Sequence, residues 1–200
     1  MTTTDPRPAD PRPMLFRAAD QAVAVISLAG PDDLDRPTPC TEFDVRHLLG
    51  HLVAVLGRVT YVAGGGHAFD VPSMVLEVPD DAWGTTAKQR AAELRAAWSD
   101  DAVLDRVLQL PFGNVPGRGA ALAYVQELTT HAWDLASALG RREVLDDELA
   151  RVAADAARRF VPDARRGDPI PFGVVVPVAV DAPPYDQLVA WLGRDPRWVA

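Results

Sequence analysis

Glu127 and His131 stand four residues apart in a strongly helical stretch, and another histidine, His51, lies far upstream on a second one. Side chains at i and i+4 project from one helix face, so this carboxylate and imidazole can reach a single metal ion while a residue on a neighbouring helix supplies a third bond. Three protein ligands leave a position for water or substrate, the pattern of catalytic metal sites. By spacing alone the same pair also reads as a solvated i, i+4 pair that adds a little helix stability. Asp134 continues the edge beyond His131, where a carboxylate can orient an imidazole or bind an arginine. His47, one turn before His51, could share its ion, but its position on the helix points to solvent. Cys40 precedes that helix as a nucleophile, a fourth ligand or a small packed residue. His67 follows three glycines as a proton-transfer group or an exposed loop residue. Tyr124 could donate to a bound ligand or simply pack, and Trp133 is expected at an interface or surface groove.

The elements that must position these groups are helices. Apolar periodicity predicts a first helix over residues 14–29, a second over 45–62 behind capping candidates Thr41 and Asp44, and a third over 83–99. A fourth is expected over 119–139, a fifth over 146–160 and a short sixth over 185–192. Residues 68–81 read as a long irregular loop able to cover a pocket, residues 103–110 suit either a short helix or a strand, and residues 111–114 form a turn. The β-branched run 172–180 suggests an extended segment. On the second helix Leu48, Leu49, Leu52 and Leu56 make an apolar stripe, with His51 roughly 90° from its centre. On the fourth, His131 lies at the stripe's margin and Glu127 roughly 100° from its centre. All three therefore flank buried surface.

These helices predict an all-α four-helix bundle with short additional helices and a minor extended segment, carried by one domain over residues 14–200 behind a disordered, proline-rich tail over 1–13. Two hundred residues, 48% of them hydrophobic, are enough for one buried core. A net charge of −8 with scattered arginines disfavours nucleic-acid binding, and the tail has no apolar stretch for a signal or membrane anchor. The single cysteine excludes an internal disulfide and points to a reducing cytoplasm.

Two segments add a more specific signal. Residues 38–46 (TPCTEFDVR) leading to His51, and residues 127–136 (ELTTHAWDLA), resemble the mycothiol-dependent maleylpyruvate isomerase N-terminal domain group of the DinB-like metalloenzyme superfamily. Phe172-Gly173, residues 181–184 and residues 192–196 (LGRDP) resemble one branch of that group described mostly as metal-binding. The resemblance covers nearly everything after the tail. It implies a DinB-like bundle whose divalent metal, most often zinc, is held by His51, Glu127 and His131, with nickel or iron(II) as alternatives. The isomerases carry a further C-terminal domain that this sequence ends too early to include, so isomerase activity is not carried over.

Two imidazoles and one carboxylate suit zinc with an open position and equally suit non-haem iron(II). The resemblance favours activation of a low-molecular-weight thiol such as mycothiol for isomerisation or S-transfer to an electrophile. Metal-assisted hydrolysis is the alternative chemistry. A non-catalytic, metal-dependent regulatory bundle, dimeric through exposed apolar helix faces, is the alternative class.

Overall fold

The computed structural model describes residues 9–163, 166 and 172–200. Within them six α-helices and one small hairpin follow the order α1 (Arg12–Ile26), α2 (Val45–Ala63), α3 (Trp83–Ala97), β1 (Val107–Leu110), β2 (Gly113–Pro116), α4 (Gly117–Leu139), α5 (Asp147–Phe160) and α6 (Pro184–Trp191). The mainly helical class expected from periodicity is the class observed. No helix among the described residues is long and apolar enough to cross a membrane.

Most boundaries fall within two or three residues of the sequence reading, and the exceptions have local causes. Helix α1 starts at Arg12, inside the segment assigned to a tail, because Pro13 suits the first helical turn and Arg12 is anchored by Asp10 and Asp101. Residues 1–8 lie outside the described residues. The ambiguous 103–110 stretch divides into a short 3₁₀ turn and strand β1, which pairs antiparallel with β2 across Pro111-Phe112. Alternation along β1, with Leu108 and Leu110 buried and Val107 and Gln109 exposed, selects the strand. Residues 172–179 form neither helix nor paired strand; Val176 N–H donates to the Ala190 carbonyl at 2.9 Å, so this run is tied to α6 instead of joining a sheet.

Helix α4 is the axis of the bundle. It packs extensively against α1 and α5 and also meets α2, while α2 packs on α3 and α5 on α6. Consequently α4 is buried on almost every face from Ala120 to Ala138, and a single-stripe wheel understates its burial. Trp133, expected at an interface or surface groove, is fully buried within the chain, with the Arg142 guanidinium 4.6 Å from its ring centroid. Leu48, Leu52 and Leu56 of α2, Leu15 and Ile26 of α1, and Trp83 and Trp98 at the two ends of α3 fill the remaining core. The Trp98 indole keeps its donor satisfied through the Val59 carbonyl at 3.1 Å.

Asp44 caps α2 by accepting the His47 backbone N–H at 2.9 Å, which sets where the helix begins and therefore which way His51 points. Further along, the irregular loop returns over α2. Gly50 is required at that crossing, since a Cβ there would lie 2.4 Å from the Val75 carbonyl oxygen, while Val75 N–H donates to the Gly50 carbonyl at 3.2 Å.

Candidate metal centre

Helices α2 and α4 bring His51, Glu127 and His131 together. His51 Nε2 lies 3.2 Å from Glu127 Oε1 and His131 Nε2 lies 3.7 Å from the same oxygen. One ligand atom from each residue falls within 4.8 Å of the others. The two imidazoles meet edge to face with centroids 4.8 Å apart, and Phe43 covers the far side of His51 at 5.4 Å. His51 and His131 are almost entirely buried, while Glu127 is half-buried and opens toward solvent.

The outer nitrogens decide the orientation of both rings. His51 Nδ1 sits 2.9 Å from the Ser73 carbonyl oxygen, an acceptor only, so Nδ1 carries the proton. His131 Nδ1 sits 3.0 Å from Asp134 Oδ2 and is protonated by the same reasoning. In the neutral imidazoles both Nε2 lone pairs are then free to face the Glu127 carboxylate. Such acceptor-held imidazoles are the usual outer arrangement of histidines that ligate metals. The donor set of two nitrogens and one carboxylate oxygen therefore fits a divalent ion with a further position available for an exogenous ligand.

Asp134 has no exposed surface and is itself held by Arg194, whose Nε and Nη2 donate at 2.8 Å to Oδ1 and Oδ2 respectively. Burial alone would raise the Asp134 carboxyl, but the Arg194 charge and the His131 and Arg194 hydrogen bonds outweigh it and hold the carboxyl below its ordinary range. Burial similarly opposes ionisation of Glu127; when the imidazoles are protonated, the His51 hydrogen bond and the charges of His131, His51 and Arg194 overcome it and hold that carboxyl at about 2. Both acids are thus carboxylates near neutrality.

A second grouping, Cys40 with His131 and Asp134, also has ligand atoms within 4.8 Å. It shares the His131 ring, whose Nδ1 is already given to Asp134, and Asp134 is already given to Arg194. Burial, reinforced by the Asp134 charge, pushes the Cys40 thiol up to about 11, so it is a neutral, half-buried thiol beside the cluster. His47 stands apart, with Nδ1 2.6 Å from Asp44 Oδ1 at the helix cap. His67 accepts the Phe69 N–H at 3.1 Å and packs on that ring, which makes it a turn residue. The Tyr124 hydroxyl is buried and has no hydrogen-bond partner among the described residues.

Sequence reasoning missed two members of this arrangement. Ser73 contributes through its backbone carbonyl, which no residue type announces. Arg194 was visible only within the LGRDP run, with no role attached. Gly193, at φ +85°, turns the chain after α6 so that Arg194 enters the bundle.

The close crossing at Gly50 supplies a test of the outer support. In an ordinary helix interior Gly→Ala stabilises by about 0.5–1 kcal/mol. Here the added methyl must displace backbone carrying the Ser73 carbonyl, so Gly50→Ala is expected to destabilise by about 1–3 kcal/mol and weaken metal binding about 10–100-fold. Urea denaturation and competitive metal titration check the two effects.

Fold and cluster together define a helical-bundle protein with an inward His-Glu-His set between two helices. Residues 15–136 match the mycothiol maleylpyruvate isomerase N-terminal domain family, and the chain belongs to that family. Two relatives are the uncharacterized proteins MT0763 of Mycobacterium tuberculosis strain CDC 1551 / Oshkosh and Rv0738 of strain ATCC 25618 / H37Rv. Each is 34% identical over 190 residues, spanning 94% of this chain and 100% of its own. Among solved structures, the crystal structure of a mycothiol-dependent maleylpyruvate isomerase matches with a TM-score of 0.56 and 18% identity over 78% of this chain and 70% of that one, a likeness of fold.

Proposed function

We propose that this protein binds a divalent metal, most suitably zinc, through His51, Glu127 and His131, and acts with a low-molecular-weight thiol such as mycothiol in isomerisation or S-transfer to a small electrophile. The observation that carries the metal reading is the pairing of both outer imidazole nitrogens with acceptors, Ser73 O and Asp134 Oδ2, which leaves the two inner nitrogens free to bind beside Glu127. Family membership carries the thiol.

A bound divalent ion would supply positive charge that favours the thiolate form of a thiol cosubstrate near neutral pH. The chain's own residues set the conditions for that chemistry. His51 and His131 are nitrogen donors whose outer nitrogens are held by acceptors, and Glu127 contributes a carboxylate beside them. Phe43 and the buried faces of α2 and α4 keep water from the imidazoles, while Glu127 lies on the more open side where a thiol and an electrophile would enter. Cys40, protonated at neutral pH, does not compete as a thiolate. Within one bundle domain, these residues need no further ligand from the chain. A reducing cytoplasm, in which a free small thiol persists, suits the reaction.

Cobalt substitution tests the thiol. Adding mycothiol, or a simpler cysteinyl thiol, to the cobalt-loaded protein is expected to produce a sulfur-to-metal charge-transfer band in the near ultraviolet and to shift the visible cobalt bands. A cobalt spectrum indifferent to thiols removes the thiol chemistry from the proposal and leaves a metal-binding bundle.

A further inference from the structure

The two inward imidazoles are backed by acceptors of different kinds. His131 leans on Asp134, which has no exposed surface and is itself held by Arg194. His51 leans on the carbonyl of Ser73, an exposed residue of an irregular strap over residues 71–78. A carbonyl on such a segment fixes a ring only as well as the segment itself is fixed. The strap meets α2 at three points. Val75 N–H donates to the Gly50 carbonyl at 3.2 Å, the Ser73 carbonyl lies 2.9 Å from His51 Nδ1, and the Pro72 carbonyl accepts from Arg58 Nη2 at 3.2 Å.

These ties differ in what supports them. At the Val75 end the strap lies directly on the helix, close enough that a Cβ on Gly50 would stand 2.4 Å from the Val75 carbonyl oxygen. At the Pro72 end it stands over a groove of about 290 Å³, walled by Val71, Pro72 and Val75 on the strap and by Ala54 and Gly57 on α2. Dispersion holds a segment only where atoms touch, so the open space leaves this end to its polar tie. That tie is Arg58, which forms no ion pair with a carboxylate among the described residues and gives Nη2 to Pro72. Arg58 follows His51 by two helical turns, roughly 10 Å along the axis. Helical side chains lean toward the helix N-terminus, so the guanidinium reaches back toward the level of His51.

We propose that Arg58 is a positioning residue for the metal centre: by holding Pro72 it keeps the next carbonyl, that of Ser73, on His51 Nδ1, and so keeps His51 Nε2 turned toward Glu127. Each imidazole then has an acceptor and each acceptor an arginine, Arg194 behind Asp134 and Arg58 behind Ser73. The two supports differ in depth. Arg194 works inside the core, whereas Arg58 works on a strap whose local opening costs less than global unfolding. His51 is therefore the ligand that lets go first, and strap opening sets how fast the ion leaves. This rests on the reading of His51 as a metal ligand, although the hold on its ring needs no ion.

The test uses the full-length protein, first stripped of metal and then loaded with cobalt(II). Arg58→Met keeps an apolar stem along the groove and removes the donor, and Arg58→Lys restores one donor. Arg90→Met alters the other arginine of the groove, which pairs with Glu93 at 3.0 Å. In stripped Arg58→Met, hydrogen exchange at the Val75 amide is expected to quicken about tenfold, the worth of one hydrogen bond from a charged donor. Nitrogen NMR of the same sample is expected to show His51 passing from its Nδ1-protonated tautomer to a mixture of both. Loss of the visible cobalt bands to excess EDTA should be about tenfold faster than in wild type. Arg58→Lys should recover most of each effect and Arg90→Met should match wild type, with amides in the middle of α4 exchanging at the wild-type rate throughout. An unchanged His51 tautomer in Arg58→Met overturns the positioning role, and so does quickened exchange that spreads equally to α4, which makes Arg58 a general contributor to stability. A shifted tautomer with unchanged cobalt release overturns the order in which the ligands let go. If wild type takes up no cobalt the metal reading fails, and the tautomer and exchange rates of stripped protein still decide whether Arg58 positions the ring.

Discussion

Protein purified without chelator is expected to carry close to one divalent ion per chain, and His51→Ala and Glu127→Ala are each expected to arrive essentially metal-free. The loss should exceed the 10–100-fold weakening typical of an outer hydrogen-bond partner, because each substitution removes one of three donors. The Glu127 variant loses the set's carboxylate donor, held at about 2 beside the imidazoles, so its effect combines a missing bond with lost charge balance. His47→Ala, His67→Ala and Cys40→Ser should keep wild-type metal content, since His47 pairs with the α2 cap residue, His67 serves a turn and Cys40 is a neutral thiol at the border. Elemental analysis of these five variants beside wild type decides the reading. Metal retained in both His51→Ala and Glu127→Ala, or no metal in wild type after zinc-supplemented expression, removes the centre.

Arg194→Met is expected to cost about 3–5 kcal/mol of folding stability, the usual penalty for breaking a buried ion pair by deleting one partner. Asp134 has no exposed surface, so its carboxylate cannot regain water when the guanidinium is removed. The pH dependence gives a second readout. In wild type the Asp134 carboxyl is held below its ordinary value of 3.8, so the stability it contributes is fully present above about pH 4 and is lost as the pH falls through the lowered value. Without Arg194, burial dominates and the carboxyl moves upward, so the variant gains relative stability as pH falls and the acid takes up its proton. The difference between wild type and variant should therefore shrink between neutral pH and about pH 4, as measured by urea denaturation across that range. Combining Arg194→Met with Asp134→Asn, which removes both charges and keeps an acceptor for His131, should recover a large part of the loss. A constant difference at all pH values would show that Arg194 acts through packing alone.

The same pair bears on function through His131. Asp134 accepts from Nδ1 and so selects the tautomer that presents Nε2 to Glu127, while Arg194 keeps Asp134 charged and in place. Arg194 comes from the turn after α6, beyond the 15–136 span that defines the family match. The C-terminal segment thus reaches the centre by one side chain, and loss of that segment should weaken metal binding even with all three candidate ligands present.

Much of this was legible from local pattern. Repeats of 3.6 residues located the six helices, and the i, i+4 relation of Glu127 and His131 placed them on one edge of α4, because a helix is a local structure whose geometry residue spacing alone specifies. Placing His51 at the margin of the α2 stripe depended on the same arithmetic. Three-dimensional packing decided everything that depended on partners distant in the chain. His51 and Glu127 are 76 residues apart, and Asp134 and Arg194 are 60 apart; their pairing follows from how α2 and the turn after α6 dock on α4. Trp133, expected at an interface or surface groove, lies in the core because α4 is enclosed by α1 and α5 as well as meeting α2. The Ser73 carbonyl carries no signature in residue type, since a backbone oxygen belongs to every residue. The Glu127-His131 edge was therefore readable in advance, while the orientation of its imidazole, and the partners that hold it, belong to the folded bundle.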